Sequence, residues 1–349
     1  MRLCLSGAGP RHDARRLLIA GVTLTRERQT SENRSNASYR HEIFTATAST
    51  IADRTRWVRL SRANDRLASL PVADVRVLRW PSGDGREIEG LLFEPLGYRR
   101  GQRYPMIVQV NGANNLYPSY YQSYAHQLAG RGYLVLQVNH RALGSTGYGE
   151  AFKLETYPPN AVLDHATQDI LTGISALVKD GVADGDRVGL MGWSIGGFTA
   201  NWLMTRTSQF KAISTGAGNA DMVAAYGQID QYRYYYRNSW GGSAFRSWDY
   251  YTSLSPLRFM ERAATPTLIH VGEHDDGVTL QCRETYNALQ EFGVPVEMLV
   301  HVGQSHNLQA PQSLLAKMLA DVAWFEQWIR GGPSWLGWQA DFDSIVRGR

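Results

Sequence analysis

Apolar and polar positions alternate in a regular way from about residue 71 onward. Residues 74–80 and 87–93 run in and out with a period of two, and Ser82-Gly83-Asp84-Gly85 between them reads as a hairpin turn. Residues 104–110 (YPMIVQV) are an unbroken apolar run, as expected of a strand buried on both faces. Residues 119–131 suit a helix ended by Gly132, and 133–138 (YLVLQV) the next strand. Within 164–178, Ile170, Leu171, Ile174, Leu177 and Val178 recur at helical spacing. A strand at 187–193 and a helix opening on Gly196 and Gly197 follow. Further strands are expected at 210–214, 266–271 and 296–302, with helices at 280–292 and 312–329. Strand–helix alternation after an opening hairpin predicts an α/β sheet, mostly parallel, with helices on both faces.

The first 70 residues read differently. Residues 1–35 are polar, Arg-rich and weakly patterned, and 31–38 (SENRSNAS) reads as loop or disorder. Short strands are expected at 39–46 and 57–60, too small and polar a set for a core of its own. This segment holds 13 Arg against 6 Asp and Glu, a net +7 in a chain of net +4, so the remainder is slightly acidic. Arg outnumbers Lys throughout and no basic nucleic-acid module appears, so nucleic acid is not an expected partner. No apolar run is long enough to cross a bilayer, and no membrane partner is expected. The apolar patch at 17–22 follows Asp13 and lacks a cleavage site, so it is not read as a secretory leader. Cys4 and Cys282 make neither a disulfide framework nor a metal spacing. A reducing compartment, the cytoplasm, is therefore expected, with no metal and no cofactor. At 349 residues the chain has room for one large domain and an appendage.

The candidate chemistry lies at 186–201, DRVGLMGWSIGGFTAN. Gly192-Trp193-Ser194-Ile195-Gly196 is G-x-S-x-G between an apolar strand and a helix-compatible run, the context of a nucleophile elbow. There the Ser sits on a strained turn, and the glycines let strand and helix backbones pass closely. The helix N-terminus offers N–H groups to a developing oxyanion. A serine hydroxyl needs a base, and the base needs an orienting group. In the order Ser, acid, His, each partner belongs in a loop past a strand's carboxyl end. The loop after 266–271 reads Gly272-Glu273-His274-Asp275-Asp276; the loop after 296–302 reads Gly303-Gln304-Ser305-His306-Asn307. His306 is the candidate base. His270 and His301 lie within strands and read as structural, and His274 would have to reach sideways. Spacing does not choose between Asp275 and Asp276, and Glu273 is a weaker third option. The backbone N–H of Ile195 is one oxyanion donor. Asn111, at the end of 104–110, is the candidate for the other, its alternative being a turn-shaping role.

These residues and their surroundings resemble the catalytic domain of the prolyl oligopeptidase family of serine peptidases, nearest its acylaminoacyl-peptidase-like branch. The segments that carry the resemblance are GLLFEPLGY (90–98), YPMIVQVNG (104–112), GSTGYGEAF (144–152), DRVGLMGWSIGGF (186–198), PTLIHVGEHDDGV (266–278) and GQSHN (303–307). The resemblance implies an α/β-hydrolase fold with an eight-stranded, mostly parallel sheet over 71–331, and a tail at 332–349. It implies a triad of Ser194, Asp275 and His306. It places Asn111 where relatives carry an oxyanion-hole Tyr or His. Family members carry a β-propeller before this domain. Here 1–70 precede it, expected to be partly disordered, and 21–67 resemble the last propeller blade and linker.

Ten aromatics lie between Tyr226 and Tyr251. They read either as walls for an apolar or prolyl side chain, with Met222 and Tyr226 nearest the nucleophile by resemblance, or as packing between helices; Trp193, beside the serine, is a further candidate substrate contact. Exposed aromatics there would favour self-association, so a homo-oligomer is an expected assembly. The expected function is hydrolysis of short peptides through an acyl-enzyme. A carboxylesterase of broad acyl specificity is the first alternative, and an inactive chain acting through its basic arm the second.

Overall fold

A computed structural model describes residues 16–22, 42–47, 49, 53, 56–62, 65, 70–110, 123–141, 148, 162–228, 230–239 and 242–347. The chain opens with a three-stranded antiparallel sheet of β1 (Arg16–Val22), β2 (Glu42–Thr47) and β3 (Val58–Arg59), with β2 in the middle. β1 was not expected: its apolar run is short and set among arginines, and only pairing with β2 makes it a strand. Phe44, Ala46 and Trp57 are buried together beside this sheet.

The main sheet has eight strands: β4 (Val75–Pro81), β5 (Glu87–Phe93), β6 (Tyr104–Val110), β7 (Leu134–Val138), β8 (Ala183–Trp193), β9 (Ala212–Gly216), β10 (Thr267–Gly272) and β11 (Val296–His301). Across the sheet they lie in the order β11-β10-β9-β8-β6-β7-β5-β4. β5 pairs antiparallel with both β4 and β7, and every other pairing is parallel, so β5 alone runs against the rest. The chain steps from β6 to β7 on one side and returns to β8 on the other. Such a reversal opens a crevice at the carboxyl ends of the strands, where ligands of open α/β sheets bind.

Among the described residues the α-helices are α1 (Ser123–Gly130), α2 (Val162–Lys179), α3 (Ile195–Met204), α4 (Met222–Gln228), α5 (Asp230–Ser239), α6 (Trp248–Ser253), α7 (Val278–Glu291), α8 (Pro311–Arg330) and α9 (Trp338–Arg347). Strand side chains alternate between the two faces. Met106, Val108 and Val110 of β6 enter one core with Ile170, Ile174 and Leu177 of α2, Leu203 of α3 and Leu289 of α7. Ile107 enters the other with Leu128 of α1 and Phe325 and Ile329 of α8. Each large aliphatic side chain buried this way contributes about 1.5–3 kcal/mol. The α/β-hydrolase architecture follows, with the sheet held rigid between two helical layers.

Two further features position the site. Arg141, with its side chain 1% exposed, pairs with Asp169 at 2.7 Å and with Asp84. Ser82 Oγ donates to Asp169 Oδ1 at 2.6 Å, so the β4–β5 turn is pinned to α2. At the other end, the segment expected as a tail is structured over 332–347: a 3₁₀ turn at Trp335–Gly337 leads into α9, and Trp335 is buried edge-on against Trp324.

Candidate active site

β8 ends at Trp193 and α3 begins at Ile195, so Ser194 is the whole turn between strand and helix. Its backbone takes φ 60° and ψ −119°, a left-handed conformation that costs a non-glycine residue about 1–3 kcal/mol. Neighbouring contacts hold it there. Ser194 N–H donates to Gly216 O at 2.8 Å, and Phe198 N–H donates to Ser194 O at 2.9 Å. A Cβ on Gly192 would overlap the carbonyl of Gly196, and one on Gly197 would overlap the carbonyl of Gly216. The glycines are thus required by the close passage of β8, α3 and β9. Ser194 Oγ caps no helical N–H, which leaves it available to a base.

That base is in reach. His306 Nε2 lies 2.8 Å from Ser194 Oγ, and His306 Nδ1 lies 2.9 and 3.1 Å from the two carboxylate oxygens of Asp275. A carboxylate only accepts, so Nδ1 carries the proton and Nε2 presents its lone pair to the serine hydroxyl. The structure separates the two adjacent acids by burial: Asp275 is buried and Asp276 is exposed. Glu273 is turned elsewhere, its carboxylate accepting from Gly303 N–H at 2.8 Å. His274 is exposed, 3.7 Å from Glu273 and outside the cluster.

The loops that carry Asp275 and His306 brace one another. Glu273 N–H donates to His301 O at 3.0 Å and His274 N–H to Gln304 O at 2.8 Å. A Cβ on Gly272 would overlap the carbonyls of Ser305 and Gln304, so only glycine lets the loops cross here. Gln304 Oε1 accepts from the N–H groups of Gln309 and Ala310 at 2.9 and 3.0 Å, tying the histidine loop to the start of α8. Trp193 Nε1–H donates to His306 O at 3.0 Å. Trp193 was expected as a substrate contact; its indole N–H also braces the base.

Behind these loops lies a buried polar network. Asp321, on α8, has no exposed surface. It accepts from Ser214 Oγ at 2.5 Å, Lys317 Nζ at 2.7 Å, His270 Nε2 at 2.9 Å and Tyr124 OH at 3.0 Å. His270 Nδ1 lies 3.2 Å from His301 Nε2, so the imidazoles donate in series toward the carboxylate. Burial opposes the charge on Asp321, but Lys317 and His270 outweigh it and hold the carboxyl well below its usual range. Burial, then His270 and Lys317, push His301 down to about 4. His270 and His301 are structural, as read from their place in strands. Their acid partner escaped notice, although an aspartate between Ala320 and Val322 on the apolar face of a helix is a signal for a buried partner.

Ile195 begins α3, and its N–H belongs to the unpaired first turn of that helix. Asn111 lies outside the described residues. Met222 and Tyr226, expected near the substrate, are core side chains here. They are 0% and 3% exposed, packed with Phe198 and Trp202 of α3 and with Tyr236 and Tyr251. The helical-packing alternative describes them, because apolar faces of α4 and α6 must be covered by α3. Tyr234, Phe245 and Trp248 of the same stretch are exposed. Among the described residues no group of three or more His, Cys, Asp or Glu could hold a metal, and no helix is long and apolar enough to cross a membrane.

Residues 118–332 match the profile of the prolyl oligopeptidase family, well over half of the chain. The chain belongs to that family. Over 277 residues it is 27% identical to the uncharacterized peptidase YuxL of Bacillus subtilis, covering 77% of this chain and 41% of that protein. It is 26% identical over 266 residues to dipeptidyl-peptidase 5 of Porphyromonas gingivalis, covering 72% and 38%. In fold it is similar to an acylaminoacyl peptidase of Pyrococcus horikoshii, with a TM-score of 0.79 at 23% identity over 93% of this chain and 50% of the other. The chain thus spans half or less of the length of these relatives. The matched prolyl oligopeptidase region includes Ser194, Asp275 and His306; the β1–β3 sheet and α9 fall outside it.

Proposed function

We propose that the chain is a serine peptidase that cleaves short peptides through an acyl-enzyme, within a catalytic domain spanning 71–331. Ser194 is the nucleophile, His306 the general base and then acid, and Asp275 the group that orients the imidazole and stabilises its charged form. The observation that carries this reading is the unbroken line from Ser194 Oγ through His306 to a buried Asp275, with contacts of 2.8 and 2.9 Å. In acylation Oγ attacks the carbonyl carbon while Nε2 takes its proton. Nε2 then protonates the departing amine. In deacylation water attacks the ester, its proton passing to Nε2 and on to Oγ. Charge on the tetrahedral oxygen is met by the N–H of Ile195 at the start of α3, with Asn111 as the expected second donor.

Ester hydrolysis uses the same groups, and the His306 side chain is 34% exposed, open enough for varied acyl groups. The two readings are separated by assaying short-chain nitrophenyl esters beside anilides of N-acetylated amino acids and dipeptides, with Ser194→Ala as control. Turnover of both classes, lost by roughly 10⁶-fold in the variant, is expected of a peptidase. Ester turnover without anilide turnover would make the protein an esterase, and neither would overturn both readings.

A further inference from the structure

A cavity of about 240 Å³ lies against the candidate site on the α1/α8 face of the sheet. Its apolar walls include Tyr124, Met191, Trp193, Leu308 and Leu314, and Lys317 reaches it from α8. It is larger than the roughly 150 Å³ cavity that accepts a benzene ring. Two walls come from the immediate neighbours of the reacting groups: Trp193 precedes Ser194, and Asn307 and Leu308 follow His306. In acyl transfer the protonated imidazole hands its proton to the leaving nitrogen, so the leaving group lies on the histidine side of the serine. A cavity bounded by Asn307 and Leu308 adjoins the loop that carries that histidine.

Lys317 sets the chemistry of the occupant. It is 8% exposed, and one N–H is spent on Asp321 at 2.7 Å. An ammonium has three donors. Its nitrogen stands 4.9 Å from the Tyr124 ring centre and 5.7 Å from that of Trp193, within cation–π range of both. Asp321 already accepts from four donors and has little left to offer. A wholly apolar ligand would strip water from the remaining lysine N–H groups, whereas one ending in an oxygen would replace that water.

We propose that this cavity is the leaving-group pocket of the enzyme. It takes the side chain of the residue on the amine side of the scissile bond, apolar along its length and tipped by a hydrogen-bond acceptor: tyrosine over phenylalanine, glutamine over leucine. The assignment rests on the serine hydrolase reading above. The pocket acts in both directions of transfer. In cleavage the C–N bond breaks as the nitrogen takes the proton from His306 Nε2, leaving the acyl carbon on Ser194 Oγ. In the reverse step an amine nitrogen bonds to that carbon, its proton passes to Nε2, and Oγ recovers a proton as its bond to the acyl carbon breaks.

The test is partitioning of one acyl-enzyme. A nitrophenyl ester loads Ser194, and paired amino-acid amides compete with water for the acyl group. Wild type is expected to transfer to tyrosine amide about tenfold better than to phenylalanine amide, and to glutamine amide about tenfold better than to leucine amide. Lys317→Met removes the cation and should bring both ratios near one. Leu314→Trp fills the cavity from an exposed position and should abolish transfer to all four amides relative to water. Nitrophenol release reports loading independently of the amide. Loading with flat wild-type ratios, or with ratios unmoved in Leu314→Trp, overturns the pocket alone. No loading in wild type overturns the hydrolase reading and the pocket with it.

Discussion

Asp321 is the residue whose replacement should cost the fold most for the smallest change in shape. The carboxylate is fully buried and accepts from Ser214, Lys317, His270 and Tyr124, joining β9, β10, α1-side Tyr124 and α8 behind the two loops that carry Asp275 and His306. In Asp321→Asn one oxygen becomes an NH₂ group. It turns a donor toward donors on one side and leaves Lys317 a buried cation without its counter-ion. Removing one partner of a buried pair costs about 3–5 kcal/mol, and a large share of the usual 5–15 kcal/mol of total stability would go. Urea unfolding followed by tryptophan fluorescence at pH 7 measures the loss. The double variant Lys317→Met with Asp321→Leu leaves no charge behind. Apolar replacement of a buried pair is often neutral or stabilising, but Ser214, His270 and Tyr124 still lose their acceptor, so the double variant should recover the part of the deficit due to the stranded charge. A single-variant loss below about 1 kcal/mol, or a double variant no more stable than the single one, would refute this account of the network.

The same network makes stability depend on pH. His301 is held near 4 in the folded chain against 6.5 when unfolded, chiefly by burial. As pH falls below 6.5 the unfolded chain binds a proton that the folded one refuses, so stability should decline by about 3 kcal/mol down to pH 4. Urea midpoints at pH 7, 5.5 and 4.5 check this, and a flat profile contradicts it. Asp275→Asn should lower ester kcat by about 10⁴, through loss of the imidazole tautomer, while Asp276→Asn should stay within about twofold; equal effects would reverse the choice of acid. Trp193→Phe deletes the donor to His306 O, a net loss of about 0.5–1.5 kcal/mol, and should reduce kcat/KM by about 2–10-fold. An unchanged value would show that the indole does not brace the base.

What the chain reveals of itself follows the reach of each signal. β5 and β6 are legible to the residue because alternation and unbroken apolarity are local properties. The Ser194–His306 contact is legible in outline, since an elbow and a histidine loop past the last strand are fixed by the topology of the sheet. The choice of Asp275 over Asp276 is not legible from spacing: adjacent residues differ by which one the α7 start turns inward, and that depends on the turn through Gly277, at φ 69°. β1 is hidden because its strand identity comes from β2, whose paired residues lie 20 to 31 positions further along the chain. Met222 and Tyr226 mislead because an aromatic-rich excursion looks the same whether it lines a pocket or covers Phe198 and Trp202. The Asp321 network joins residues more than a hundred positions apart, as in the Ser214 contact, and no local pattern reports such a pairing.

Reaction with a fluorophosphonate, followed by intact mass and peptide mapping, tests most directly whether Ser194 is a nucleophile activated by His306. Wild type should take up one adduct per chain on Ser194, Ser194→Ala none, and His306→Ala should react slower by orders of magnitude. An adduct on another residue, a folded wild type that takes none, or a His306→Ala chain that reacts as fast as wild type would contradict the account.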